Sequence, residues 1–132
     1  MGIYKNDFPV VPGSREANDN LRAWLRQSGD HGSTPRPVLH YAYPRHESAA
    51  QVRTEIAAEM RRRGFEVGDA TMRDGLVFRH DTSLASDGFD TLTSEIEELL
   101  AGYGWEYDAW ECCPQMDISL VYWRRLDAAA LR

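Results

Sequence analysis

Three carboxylates stand close together in the nine-residue stretch WEYDAWECC, residues 105–113. Glu106, Asp108 and Glu111 could supply the paired acid and base that hydrolytic enzymes use. On a β-strand, the carboxylates at 106 and 108 would point to one face and the aromatic side chains at 105 and 107 to the other. No nucleophile or anion-binding group lies nearby in the sequence. We therefore favour a strand with buried aromatic side chains and carboxylates in water.

Metal or redox chemistry would need thiolates or imidazoles at a suitable spacing. Cys112 and Cys113 are neighbours, so they lack the two-residue spacer that lets both thiolates bind one zinc ion. The four histidines are scattered along the chain. His40 and His80 fall on predicted neighbouring strands and can approach each other, and a packed histidine pair is the simpler interpretation. We expect no metal and no cofactor.

Aromatic side chains on a sheet can also stack RNA bases, as they do in RNA-recognition modules. Tyr41, Tyr43 and Phe78 could do so here. The basic–Gly–aromatic–Gly–aromatic pattern of those modules is absent, and the nearest segment, DGLVFRHD, does not match it. The basic run at 61–63 closes a predicted helix, where the helix dipole favours cations. We expect no direct contact with nucleic acid.

The elements that must position these residues follow a simple order from residue 37 onward: strand, helix, strand, strand, helix, strand. The predicted strands cover 38–43, 65–70, 76–81 and 105–112, with a hairpin turn at 73–75, and the predicted helices cover 48–63 and 87–101. This is the split βαβ arrangement of a ferredoxin-like βαββαβ sandwich. It is an α+β fold in which two helices cover one face of a four-stranded antiparallel sheet.

A further helix is predicted over 18–28, with Leu21, Trp24 and Leu25 on its apolar face. An asparagine at 18 or 20 could cap its start. The second face of the sheet is then open, or is covered by this helix or by a partner.

We divide the chain into an irregular N-terminal arm (1–16), one domain (17–113) and a C-terminal extension (114–132). Within the extension, residues 117–123 could add an edge strand. A chain of 132 residues has the size of one domain and can bury a core without disulfides.

Charge and composition restrict the partner. The net charge of −6 repels phosphate backbones and favours basic protein segments. Five of the acids fall on one predicted helix: Asp87, Asp90, Glu95, Glu97 and Glu98. No signal-peptide pattern and no run near ~18 apolar residues is present, so no membrane association is expected. Two adjacent cysteines fit a reducing, cytoplasmic compartment.

Three segments of the chain resemble the regulator of ribonuclease activity B family, small proteins that inhibit the endoribonuclease RNase E. EYDAWE, residues 106–111, is similar to the EYDGWE signature of that family. LRAWLRQSGDHGSTPRPVLHYAYP resembles its opening helix, Ser-Gly-Asp turn and histidine-bearing strand. AAEMRRRGFEV resembles its long helix, which ends in Gly-aromatic-Glu-Val. The likeness covers roughly residues 17–111.

The resemblance implies a ferredoxin-like sandwich without catalysis, because family members bind the ribonuclease and alter its activity on RNA. The signature positions and the supporting positions are occupied by Glu106, Tyr107, Asp108, Trp110, Glu111, Gly29, Asp30, His40 and Gly64. Ala109 stands where the family has glycine. If that glycine needs a positive φ, alanine costs about 1 kcal/mol. The tail is apolar and partly basic, unlike the acidic tails of the family.

We therefore expect a non-enzymatic regulator that contacts a protein partner, RNase E or a basic segment of it. Two alternatives stay open. The first is a small ligand-binding domain or enzyme of the same fold, with a pocket near His40, His80 and Asp81. The second is a structural interaction module that pairs through residues 117–123.

Overall fold

The computed structural model describes residues 4–5, 12–85 and 87–112 of the chain. Its elements are β1 (Tyr4–Lys5), α1 (Arg15–Gln27), β2 (Arg36–Pro44), a 3-10 helix (Glu47–Val52), α2 (Arg53–Arg62), β3 (Glu66–Asp69), β4 (Leu76–Thr82), α3 (Asp87–Gly102) and β5 (Trp105–Cys112). The predicted C-terminal extension, with its edge strand at 117–123, lies outside the described residues.

The five strands form one antiparallel sheet in the order β1-β5-β2-β4-β3. Without β1, this order is that of a ferredoxin-like sandwich, so the predicted α+β fold is confirmed. Strand β2 is central and pairs with β4 on one side and β5 on the other. Tyr4 and Lys5 pair with Cys112 and Glu111 and add a short fifth strand, in a segment that we predicted to be irregular.

All three helices pack on one face of the sheet. Their buried side chains share one apolar core with side chains from β2, β4 and β5; the helical members are Leu21, Leu25, Ile56, Ala57, Met60, Phe89, Ile96 and Leu100. The N-terminal helix therefore does not cover the second face of the sheet, which was one of the alternatives. Trp24, predicted on the buried face of α1, is 52% exposed.

Helix α1 begins three residues earlier than the periodicity indicated. Ser14 is its N-cap, and the Ser14 side chain accepts a hydrogen bond of 3.2 Å from the backbone N–H of Ala17. Asn18, one of the two predicted caps, instead lies inside the first turn and is fully buried. The predicted second helix also differs, since its first part is the 3-10 helix and α2 proper starts at Arg53.

The hairpin between β3 and β4 turns through two left-handed residues. Arg73 has φ of 59° and Asp74 has φ of 55°, as both central residues of a type I′ turn require. Gly75 is needed for a different reason. A Cβ at that position would lie 2.5 Å from Cδ1 of Tyr43, so only glycine lets the hairpin lie against β2.

Within the described ranges, no helix has the length and apolar character needed to cross a membrane.

We expect Ile96→Ala to lower the free energy of unfolding by about 2–5 kcal/mol, because the change opens a cavity in the helix-side core. Ile96 is 2% exposed and belongs to that core. Urea denaturation followed by circular dichroism measures the loss. Glu95→Ala, an exposed change on the same helix, is the control and should stay within about half a kcal/mol of the parent. A comparable small loss for Ile96→Ala would show that α3 is not docked on the sheet.

Candidate functional site

A β-bulge interrupts β5 within the EYDAWE sequence. Tyr41 of β2 pairs with Ala109, but the next residue, Ala42, pairs with Tyr107. Asp108 is therefore the extra residue on β5. Ala109 has no positive φ, so alanine occupies the glycine position of the signature without backbone strain.

The bulge lets both halves of β5 direct large side chains to the helices. In a regular strand, residues five positions apart point to opposite faces. Here Trp105 and Tyr107 precede the bulge and Trp110 and Cys112 follow it, yet all four are at most 5% exposed and lie in the helix-side core.

Two of the three carboxylates of the stretch have different bonding partners. Glu111 accepts a hydrogen bond from the Tyr41 hydroxyl. An oxygen of Glu106 lies 3.3 Å from Nη2 of Arg73. Asp108 is half-buried at the bulge between them. Glu106 and Glu111 are thus each held by a neighbouring side chain of the fold.

Three hydrogen-bonded side chains run from β5 through β2 to β4; we call them the His–Tyr chain (Tyr107, His40 and His80). Nδ1 of His40 is 2.7 Å from the Tyr107 hydroxyl, and Nε2 of His40 is 2.9 Å from Nε2 of His80. The predicted approach of the two histidines is therefore confirmed. His40 is fully buried, whereas His80 is partly exposed. The Phe65 ring lies 4.6 Å from the His80 ring, centre to centre.

We assign the direction of the His–Tyr chain from the Tyr107 hydroxyl. This hydroxyl has no second partner among the described residues, and its buried O–H stays paired only if it donates to Nδ1 of His40. His40 must then carry its proton on Nε2 and donate it to Nε2 of His80. His80 in turn is protonated on Nδ1. Both imidazoles are neutral in this arrangement, because each uses one ring nitrogen as an acceptor.

Burial keeps all three groups uncharged near neutral pH. It lowers the pKa of His40 well below 6.5, and the nearby His80 adds to this effect. Burial lowers the pKa of His80 to about 4, although Asp81 opposes the shift. It also raises the pKa of the Tyr107 phenol well above 10. The His–Tyr chain therefore has the character of a neutral, packed core element.

Asn18 joins α1 to α3 and to Trp110, the tryptophan of the EYDAWE signature. Its Nδ2 donates to Oδ1 of Asp90 and to Oγ1 of Thr93, each at 2.9 Å, and its Oδ1 accepts from Nε1 of Trp110 at 2.8 Å. Asn18 and Thr93 are fully buried. A buried indole N–H needs an acceptor, so Trp110 signals that such a partner exists. The sequence does not indicate that the partner is Asn18, 92 residues away.

Asp30 forms a buried ion pair with Arg36 at the start of β2. The carboxylate accepts two parallel hydrogen bonds, of 2.6 Å from Nη1 and 2.9 Å from Nη2 of Arg36. Asp30 also accepts from the backbone N–H of Gly32 at 2.9 Å. Burial disfavours the charge of Arg36, but the hydrogen bonds to Asp30 and Cys112 outweigh it and raise its pKa. The pair therefore fixes the loop after α1 to the start of β2.

The predicted site residues do not converge on one point. His40 and Tyr107 are in contact, while Trp110 and Asp30 bond elsewhere in the helix-side core. Glu106 and Glu111 bond Arg73 and Tyr41 instead. Cavities lined by described residues are found at the β3–β4 hairpin, beside the end of β2, and between α2 and α3. None of these cavities includes His40, His80 or Asp81, and the described residues contain no cluster of three metal-ligating side chains.

The buried histidines predict a loss of stability in mild acid. The pKa values of both imidazoles are lower in the folded protein than in the unfolded chain. As the pH falls, the unfolded chain therefore takes up protons before the folded protein does, which favours unfolding. Their contribution is complete above an unfolded pKa of about 6.5 and is lost as the pH falls through the folded value of about 4 for His80. Urea denaturation across this range should show the decline. His80→Gln should reduce the pH dependence, whereas His46→Gln, an exposed control, should retain it. Equal slopes in all three proteins would contradict the assignment.

We expect Asp108→Ala and Asp108→Asn to lower the melting temperature. The extra residue of a bulge leaves backbone groups without their usual hydrogen bonds to the neighbouring strand. A carboxylate at that place can accept hydrogen bonds from the free backbone N–H groups. Loss of the acceptor costs about 1–3 kcal/mol where the donors are buried. Thermal melts of both variants, measured beside partner binding, test this role. Unchanged melts with weakened binding would assign the carboxylate to a partner surface instead.

Comparison with known families completes the description of this site. The family model described as regulator of ribonuclease activity B matches residues 15–112. The match begins at the first residue of α1 and ends at the last residue of β5, so it spans the three helices and the four strands of the sandwich. A search of curated proteins found no match. Because the family model covers most of the chain, including EYDAWE, the chain belongs to the regulator of ribonuclease activity B family.

Proposed function

We propose that this protein is a non-enzymatic regulator that binds an endoribonuclease, RNase E or a basic segment of it, and changes its activity on RNA through protein contact. The family membership supports a role in ribonuclease regulation. One observation supports a mode of action without catalysis: polar groups of the signature form hydrogen bonds with other side chains of the same protein.

The signature residues bond to their neighbours. Tyr107 donates to His40, and Trp110 donates to Asn18. Glu111 accepts from Tyr41. A catalytic acid, base or nucleophile has to reach a bound substrate, whereas these groups are directed at other elements of the fold. The signature therefore supports a structural role, and recognition of the partner falls to the outer surface.

Helix α3 presents the acidic part of that surface. Of the acids predicted on this helix, Asp90 is turned inward and bonds Asn18. Asp87 is paired with Arg15 at 2.7 Å. Glu95 and Glu98 are exposed and line a cavity between α3 and the end of α2, together with Arg63 and Leu99. Glu95 and Glu98 are three residues apart, hence neighbours on the helix surface.

A basic partner segment fits this acidic pair. Exposed charges of opposite sign speed up association, and salt screens them over a Debye length of about 8–10 Å. The net charge of −6 acts in the same direction over the whole surface. Binding should therefore depend on salt mainly through the rate of association.

Titration against purified RNase E from the same host tests the proposal. We expect binding at low salt and a slower association as salt is added. Glu95→Lys combined with Glu98→Lys should reduce the association rate by roughly tenfold, since rim charges act on that rate. Glu16→Lys combined with Glu55→Lys changes the net charge equally on α1 and α2, where both acids are exposed, and should have a smaller effect.

The titration at low salt tests the identity of the partner, and the two double variants test which surface binds it. Absence of binding at low salt would exclude RNase E as the partner. Binding that both double variants weaken equally would mean that net charge alone is sensed, and that α3 is not the docking surface. Melting temperatures of the variants verify that each is folded.

A further inference from the structure

The segment Glu47–Val52 is a 3-10 helix, although its composition favours an α-helix. Its sequence is ESAAQV, in which alanine, glutamine and glutamate are strong α-helix formers. A 3-10 helix has poorer hydrogen-bond geometry than an α-helix, and long runs of it are uncommon. This segment has six residues and leads directly into α2 at Arg53. Because the local preference and the observed conformation disagree, a contact elsewhere in the fold has to account for the difference.

The hydrogen bonds at the junction with α2 show how the two helical forms differ. In the 3-10 form, the backbone N–H of Arg53 donates to the carbonyl of Ala50. In a continuous α-helix, Arg53 would donate to the carbonyl of Ala49 instead, four residues earlier. Val52 lies at the junction with φ of −91° and ψ of 9°, outside the α-helical region. A change of acceptor from Ala50 to Ala49 therefore distinguishes the two forms.

The carbonyl of Ala49 is bound by the first residue of β5. Nε1 of Trp105 donates to this oxygen at 2.7 Å, and the indole lies in the helix-side core. The preceding residue, Gly104, accepts from the backbone N–H of Arg45 at 3.0 Å. A Cβ at Gly104 would lie 3.6 Å from Cβ of Ala49, so the two backbones are close. Residues 104–105 thus contact both the start of this connection and the carbonyl that an α-helix would use.

The indole restricts the conformation of the segment through this carbonyl. A carbonyl oxygen can accept two hydrogen bonds, but the bond from Trp105 directs the oxygen of Ala49 toward β5. A buried indole N–H needs an acceptor, so a movement of Ala49 would leave it unpaired. We infer that residues 47–52 can adopt a 3-10 or an α-helical form, and that the hydrogen bond from Trp105 to Ala49 holds them in the 3-10 form.

Conversion to an α-helix would change a surface of the molecule. An α-helix rises about 1.5 Å per residue and a 3-10 helix about 2.0 Å, so the six residues would shorten by about 3 Å. Glu47 and Ala50 line the cavity beside the end of β2. Arg53 donates to the backbone carbonyl of Asp74, at 3.1 Å, in the β3–β4 hairpin. The two forms therefore present different surfaces at this end of the sheet.

A molecule that binds one form more tightly would shift the segment toward that form. The segment is thus a conformational switch built into the fold. The inference rests on hydrogen bonds and helix propensity and does not depend on the proposed function.

Cross-hydrogen-bond couplings, measured by NMR on the full chain, test the inference. They connect the amide nitrogen of Arg53 to the carbonyl carbon of its acceptor, which we expect to be Ala50 in the parent protein. Trp105→Phe keeps an aromatic ring but removes the N–H. We expect the coupling to move to Ala49, and the carbon chemical shifts of residues 47–52 to move to α-helical values. A folded variant in which Arg53 stays coupled to Ala50 would overturn the inference, as would a segment that loses its helical shifts.

Two further variants separate the hydrogen bond from other effects of the substitution. Trp110→Phe removes the indole N–H that donates to Asn18 and should leave the coupling of Arg53 to Ala50 in place. Conversion in this control as well would overturn the inference, because any lost core indole would then have the same effect. Replacement of Trp105 by 3-benzothienylalanine keeps the shape of tryptophan, with sulfur in place of the N–H, and leaves no cavity. The acceptor should change as in Trp105→Phe, and an unchanged acceptor would contradict the role of the hydrogen bond.

Discussion

One extra residue in β5 determines how this sheet meets its helices. Side chains on a strand alternate between faces, so two tryptophans five positions apart cannot both face the same layer without an insertion. The bulge at Asp108 supplies that insertion. Trp105 then donates to the backbone carbonyl of Ala49 at 2.7 Å, and Trp110 donates to Asn18 at 2.8 Å. One strand thereby holds the 3-10 helix at one end of the helical layer and α1 at the other.

The buried polar groups make this arrangement specific. A typical intramolecular hydrogen bond adds only about 1 kcal/mol, whereas an unsatisfied buried donor costs about 1–3 kcal/mol. Asn18 of α1 bonds Asp90 and Thr93 of α3 and accepts from Trp110 of β5. A displaced α1 would leave these buried groups unpaired. These contacts therefore select one packing of the helices more than they add to the total free energy of folding.

Much of this fold could be predicted from periodicity, because the decisive information is local. The apolar stripe on α3 and the β-branched and aromatic runs in β2 and β4 are visible within each segment of the sequence. The errors have non-local causes. Asn18 has the same local preference for a cap as Ser14, and only Asp90, Thr93 and Trp110, more than 70 residues away, determine that it is buried. Strand β1 has two residues, too few to show any period.

Prediction of the site was limited in a similar way. The resemblance selected residues such as Asp30 and His40, but it could not show that they bond within the core. Arg36 and Asn18 were missed because their roles depend on burial, which residue type alone does not reveal. The predicted site residues come from nearby or similar motifs of the sequence. The strand register distributes them over separate contacts in the folded protein.

The direction of the His–Tyr chain has a kinetic consequence for the Tyr107 hydroxyl proton. His80 is the most exposed of the three side chains, and a relay of protons toward it would leave a phenolate behind. Burial makes that phenolate unfavourable, because it raises the pKa of Tyr107 well above 10. We therefore expect this proton to exchange slowly with solvent while the hydrogen bond between β5 and β2 is intact. The exchange rate of one hydroxyl hydrogen thus reports how often this strand pair opens.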